Sequence, residues 1–150
     1  MTINKNARQL VRERAKFLCE YCHSPEWSSA DLFTIEHLVP QSLGGSDELD
    51  NLALACRRCN ERRYNFTTGI DLETGLEIQL FQPRQQVWAK HFIWTADGVK
   101  IISLTSVGRA TCNRLDLNDE SHNDGFIQRA RRFWIQGGWH PPSDDPRQVE

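Results

Sequence analysis

Apolar and polar positions change period several times along the chain, and each change predicts an element. In "NARQLVRERAKFLCEYC", Leu10, Val11, Ala15, Phe17 and Leu18 fit a short amphipathic helix that runs into Cys19. "ADLFTIEHLVP" is rich in apolar and β-branched residues and stops at Pro40, as a strand entering a loop does. "SLGGSDELDN" is a turn-rich connection in which Gly44-Gly45 permits tight backbone geometry. "NLALACRRCNERRYNF" then predicts a short strand or loop, a turn carrying two cysteines, and a helix reaching Phe66. The order is strand, loop, strand, helix.

After Phe66 the pattern becomes short strands joined by polar turns, with "ADG" (Ala96–Gly98) as a hairpin. A capped helix is predicted to begin after Thr105. In "DGFIQRARRFWIQGGWHPP", Phe126, Ile127, Ala130, Phe133 and Trp134 recur at helical spacing up to Gly137-Gly138. That stripe reads as core contact with the N-terminal module, and Trp88, Trp94 and Trp139 as packing anchors rather than base-stacking platforms. Arg129, Arg131 and Arg132 read as a solvated helix face, an extended DNA-contacting surface being the alternative. His91 either faces a groove or lies in a strand. "DLNDESHNDG" is not a calcium loop, because its glycine and terminal carboxylate miss the required positions. The tail "PPSDDPRQVE" is expected to fray.

Composition narrows the class. Of 150 residues, 39% are hydrophobic and 25% charged, as in a globular protein. No apolar run approaches the ~20 residues of a membrane span, and the polar N-terminus is no signal peptide, so a cytoplasmic protein is expected. A formal net charge of −2 argues against general affinity for nucleic acid but leaves room for a local basic patch. Glu36, Asp47, Glu48 and Asp50 crowd one segment; Arg57, Arg58, Arg62 and Arg63 crowd the next.

Five cysteines then choose the chemistry. "CEYC" and "CRRC" place Cys19, Cys22, Cys56 and Cys59 as two knuckles, the set that a tetrahedral structural zinc takes. A disulfide framework competes weakly in reducing cytosol. His23 is a bystander beside four thiols, and Cys112 an ordinary small core residue. A closed four-thiolate site leaves zinc no open position, so any reaction needs other groups.

Taken together, "CEYC", "EHLVP", "GG", "DNLALAC" and "CRRCNERR" resemble an HNH endonuclease of the four-cysteine, zinc-stapled type, over about residues 8–66. The resemblance implies an α+β protein: a ββα-metal core with a four-cysteine structural zinc in residues 1–66, and a small α+β extension in 67–150. The extension, with "LFQPRQQVW", is similar to one accompanying some small bacterial HNH proteins, although "GIDLETG" replaces the usual proline-containing opening.

The resemblance also implies roles. His37 is the general base that activates water, and Glu36 and Asn60 hold a catalytic Mg²⁺ or Mn²⁺. Asn51 braces the loop or orients the histidine, and Arg57, Arg58, Arg62 and Arg63 contact phosphate. Hydrolysis of a phosphodiester in double-stranded DNA would leave 5′-phosphate and 3′-hydroxyl ends. Two departures stand out: Asn60 replaces the third-position histidine, as in an HNN subgroup that includes the HNH domain of CRISPR effector nucleases, and Glu36 replaces the more usual Asp. Taken singly, Glu36 also fits a surface carboxylate, Asn60 a cap or knuckle hydrogen bond, Asn51 a turn, and the arginines a solvated face. The alternatives to a nuclease are a DNA-binding module without turnover and a protein-interaction domain built on the C-terminal half.

Overall fold

The computed structural model describes residues 3–150, which divide into two compact units. The first comprises the described chain up to Thr67 together with Gln82–Gln85; the second comprises Thr68–Phe81 and Gln86–Glu150.

In the first unit, helix α1 (Lys5–Arg14) starts at Asn4, whose side chain accepts from the Ala7 amide. It stops at Arg14, and the chain leaves through Lys16 and Phe17, both in left-handed backbone. Only Val11 and Ala15 of the expected stripe are buried; Leu10 is half exposed. Strands β1 (Thr34–His37) and β2 (Leu52–Ala55) form an antiparallel pair that aligns Glu36 with Ala53 and His37 with Leu52. All four residues of β2 are buried, so this strand is the centre of the unit's core. Helix α2 (Arg57–Arg63) follows, completing the expected ββα order, and ends before Phe66. Arg14 donates to the Leu49 and Leu52 carbonyls, and Arg12 pairs with buried Glu26 at 3.1 Å. Buried Arg12 and the more exposed Arg14, each with more than one acceptor, tie together a unit too small for a large apolar core.

In the second unit two antiparallel hairpins, β3 (Thr68–Ile70) with β4 (Glu77–Gln79) and β5 (Phe92–Trp94) with β6 (Ile101–Ser103), accompany helices α3 (Ser106–Leu115) and α4 (Phe126–Gly137). Thr105 caps α3 through the Gly108 amide, and Gly138 closes α4 in left-handed conformation. Trp88, Phe92 and Trp94 stack at ring separations of 5.1 and 5.9 Å. No helix among the described residues is long and apolar enough to cross a membrane.

Three expectations are corrected here. Arg131 is not on a solvated face: it is fully buried, lies 5.0 Å above the Trp94 ring, and donates to the Val99 and Leu117 carbonyls and to Asn118. Phe126, Phe133 and Trp139 are exposed, so the inward face of α4 is Ile127 with Arg131 and not the aromatic stripe. The C-terminal segment does not fray, because Pro146 and Gln148 bond both sides of Trp94 and Asp145 accepts from its indole N–H at 2.8 Å. A spacing pattern cannot reveal such partners, since each lies far away in sequence.

Asp71 organises the β3–β4 turn. Its carboxylate accepts from Arg109 Nε and Nη2 at 2.8 and 2.9 Å, from the Glu73 amide and from the Thr74 hydroxyl. The Arg109 hydrogen bonds hold its carboxyl well below the usual carboxylate range. A carboxyl lowered by folding stabilises above its unfolded pKa of roughly 3.9 and loses that contribution as the pH falls toward its folded value. Asp71→Asn should therefore lower the melting temperature at neutral pH. The gap to the parent should close as the pH is taken from about 5 to about 2, as thermal melts across that range will show.

Candidate active site

The cleft that gathers the predicted polar residues opens at the C-terminal end of β1. It has a volume of about 300 Å³, and Glu36, His37, Asn60, Tyr64 and Asn65 line it. Strand pairing delivers Glu36 and His37, and the second turn of α2 delivers Asn60. The Asn60 side chain makes no hydrogen bond to the described residues.

His37 is held by a residue that the sequence marked only as a charge. Its Nε2 lies 2.7 Å from Asp47 Oδ1. A carboxylate only accepts, so the neutral ring donates from Nε2 and keeps its lone pair on Nδ1. Nδ1 has no hydrogen-bond partner among the described residues. Asp47 lies ten positions on, in the glycine-bearing loop, and no local pattern pairs the two.

Loop closure makes that pairing possible. Buried Asn51 accepts from the Val39 amide and donates to the Val39 and Ser46 carbonyls at 3.1 and 2.8 Å, spanning the loop from both sides. Gly45 passes so near that an added Cβ would fall 1.7 Å from the Val39 oxygen. Any side chain there must displace backbone, which is the reason for glycine at this position.

Arg63 corrects an expectation. It is 4% exposed, and its guanidinium donates to the His37, Leu38 and Phe66 carbonyls, so nothing is left to meet a phosphate. Its Nη1 also lies 3.0 Å from Glu36 Oε1. Of the other arginines, Arg57 is exposed and paired with Glu61 at 2.8 Å. Arg58 directs Nη1 at Cys22 Sγ, and Arg62 is half-buried. The turn after Arg63 puts Tyr64 at φ 50°, ψ −122°, a glycine-like conformation that costs a tyrosine about 1–3 kcal/mol.

Glu36 is the unusual group. Its carboxylate is buried beside the Arg63 guanidinium and the Tyr21 hydroxyl, yet neither oxygen receives a well-aligned hydrogen bond. Burial pushes its carboxyl up, against the pull of Arg63 and the Tyr21 hydroxyl. Two buried oxygens with unused lone pairs, on the wall shared with the Asn60 amide, form a hard-oxygen donor set that suits a divalent cation.

The four knuckle cysteines form the second cluster. Their sulfurs all lie within 4.8 Å of one another, and Cys22 and Cys56 are 3.7 Å apart. A tetrahedral zinc with bonds of about 2.3 Å separates its sulfurs by roughly 3.8 Å, so the donor set has the size zinc requires. The first knuckle is closed by the His23 amide donating to Cys19 and the Cys19 amide donating to Ser24, both at 2.9 Å. Cys56 caps α2 and Cys59 lies one turn in. His23 stands outside the cluster. Away from this unit, burial pushes the Cys112 thiol up to about 12, in keeping with an inert packing role.

Structural zinc contributes about 10–16 kcal/mol in zinc-finger peptides, comparable to or above the whole stability of a small domain. Chelation should therefore melt the first unit: far-UV circular dichroism should lose helix and strand signal, and zinc should restore it. Mass spectrometry under native conditions should count one zinc per chain, and none in Cys56→Ser.

The model of one family, the HNH endonucleases, matches residues 19–66. No curated protein and no solved structure matches the chain. The segment from Cys19 to Phe66, with its ββα order and its buried four-cysteine cluster, matches the HNH endonuclease domain model.

Proposed function

We propose that this protein is a metal-dependent endonuclease that hydrolyses DNA phosphodiester bonds in the cleft beside β1. The supporting observation is the convergence of Glu36, His37 and Asn60 on one cleft, with His37 Nδ1 uncommitted and the Glu36 oxygens unsatisfied. In this reading His37 Nδ1 accepts a proton from the attacking water while Asp47 steadies the resulting imidazolium. Glu36 and Asn60 hold Mg²⁺ or Mn²⁺. Bound there, the cation supplies charge stabilisation at the phosphate and the departing 3′ oxygen. Asn51 and Arg63 keep the loop and strand in register so that the base stays aimed at the water. Arg57 and Arg62 remain for phosphate contacts, with Arg58 shared between the thiol cluster and the surface.

One observation favours a second reading, a zinc-stapled module that binds DNA without turnover: the Glu36–Arg63 contact competes with a cation for the carboxylate. Cleavage assays separate the two. Zinc-loaded protein with Mg²⁺ or Mn²⁺ should convert supercoiled plasmid to nicked or linear forms. His37→Ala should be slower by roughly 10²–10⁴-fold, the usual contribution of a general base. A folded parent protein that binds plasmid but leaves it intact with either metal selects the second reading. Separately, Asp47→Asn should lower kcat by roughly tenfold or more with KM little changed, and Asp47→Glu should recover part of the loss.

A further inference from the structure

Tyr64 is the residue at the cleft that neither packing nor the proposed chemistry accounts for. The residue is 71% exposed at the mouth of the cleft, its ring meeting Phe66 edge-on at 6.3 Å. A tyrosine gains little from standing in water, yet here it stands there in a backbone conformation natural to glycine. The turn is rigid on both sides: the Phe66 amide donates to the Arg63 carbonyl at 2.9 Å, and the Arg63 guanidinium ties the Phe66 carbonyl to the end of β1. The fold therefore keeps the ring at the rim instead of letting the turn relax and bury it. Strain maintained at the edge of a site points to a contact made by that ring with whatever enters.

Charge at the cleft leaves the choice of strand to the ring. Arg63 is buried, Arg57 is neutralised by Glu61, Arg58 points at a thiol, and the chain carries a net charge of −2. Arg57 and Arg62 remain for phosphate, but backbone phosphates are common to duplex and single strand and do not select between them. An unpaired nucleobase offers a neutral π-face that an exposed tyrosine can stack on irrespective of sequence. In a duplex those faces are covered by neighbouring base pairs.

Building on the nuclease reading, we infer that Tyr64 stacks on an unpaired base next to the scissile phosphate, so that the substrate is single-stranded or locally opened DNA and not intact duplex.

Binding tests this without requiring cleavage. The full-length zinc-loaded chain, with no Mg²⁺ or Mn²⁺ added, is titrated with a single-stranded oligodeoxynucleotide carrying 2-aminopurine and with the same sequence as a duplex. The single strand should bind more tightly, with quenching of 2-aminopurine. Tyr64→Ala and Tyr64→Gly should weaken that binding by roughly tenfold and abolish the quenching, while Tyr64→Phe should stay within about twofold of the parent. Tyr64→Gly should also melt at or above the parent temperature, because it relieves the turn. Equal affinity of parent and Tyr64→Ala for the single strand, tighter binding of the duplex, or a lower melting temperature for Tyr64→Gly would each overturn the inference. Failure of the nuclease reading shows separately, as a single-stranded oligodeoxynucleotide left uncut in the presence of Mg²⁺ or Mn²⁺ while stacking persists.

Discussion

One buried guanidinium joins the parts of the first unit that have to agree. Arg63, at the end of α2, donates to two consecutive carbonyls at the end of β1, to the turn that follows it, and faces Glu36. A buried arginine is tolerated only when its donors are nearly all used, and removing such a partner typically costs about 3–5 kcal/mol. The same contacts set the height of the helix end against the strand and so decide that Asn60, His37 and Glu36 share a cleft.

Two further constraints act at different ranges. The thiol cluster joins residues 19–22 to 56–59 and closes the long connection between them. A metal that binds only the folded form stabilises it, which compensates for the modest apolar core available to so small a unit. Within that frame Asn51 and Gly45 govern a shorter range. The asparagine satisfies backbone groups across the loop, and the glycine lets the loop pass against the Val39 carbonyl. Their joint effect is to bring Asp47 to His37.

Several local rules are broken where the chemistry is proposed. Glu36 is a buried carboxylate without aligned donors, Tyr64 an exposed aromatic in a glycine-like turn, and Asn60 a helix residue with an unused amide. Elsewhere Asp71 is well supplied, whereas buried Arg84 Nε and Nη1 also lack an aligned acceptor. Functional sites retain such unmet demands because a substrate or cation meets them on binding.

The zinc knuckles, the ββα order, the cap at Thr105 and the hairpin around Ala96–Gly98 were legible in the sequence. Each depends on residues within one turn or one strand of each other, where spacing and residue type decide the geometry. The sequence also singled out Glu36, His37, Asn51 and Asn60 as candidates, but it could not say what surrounds them. Only the tertiary structure supplied Asp47 as the partner of His37, turned Arg63 from a surface cation into an internal clamp, buried Arg131 against Trp94, and held the C-terminal segment on β5. Those outcomes depend on side chains meeting across loops of ten to fifty residues, and the net value of a charge is set by whether it ends in water or beside a partner.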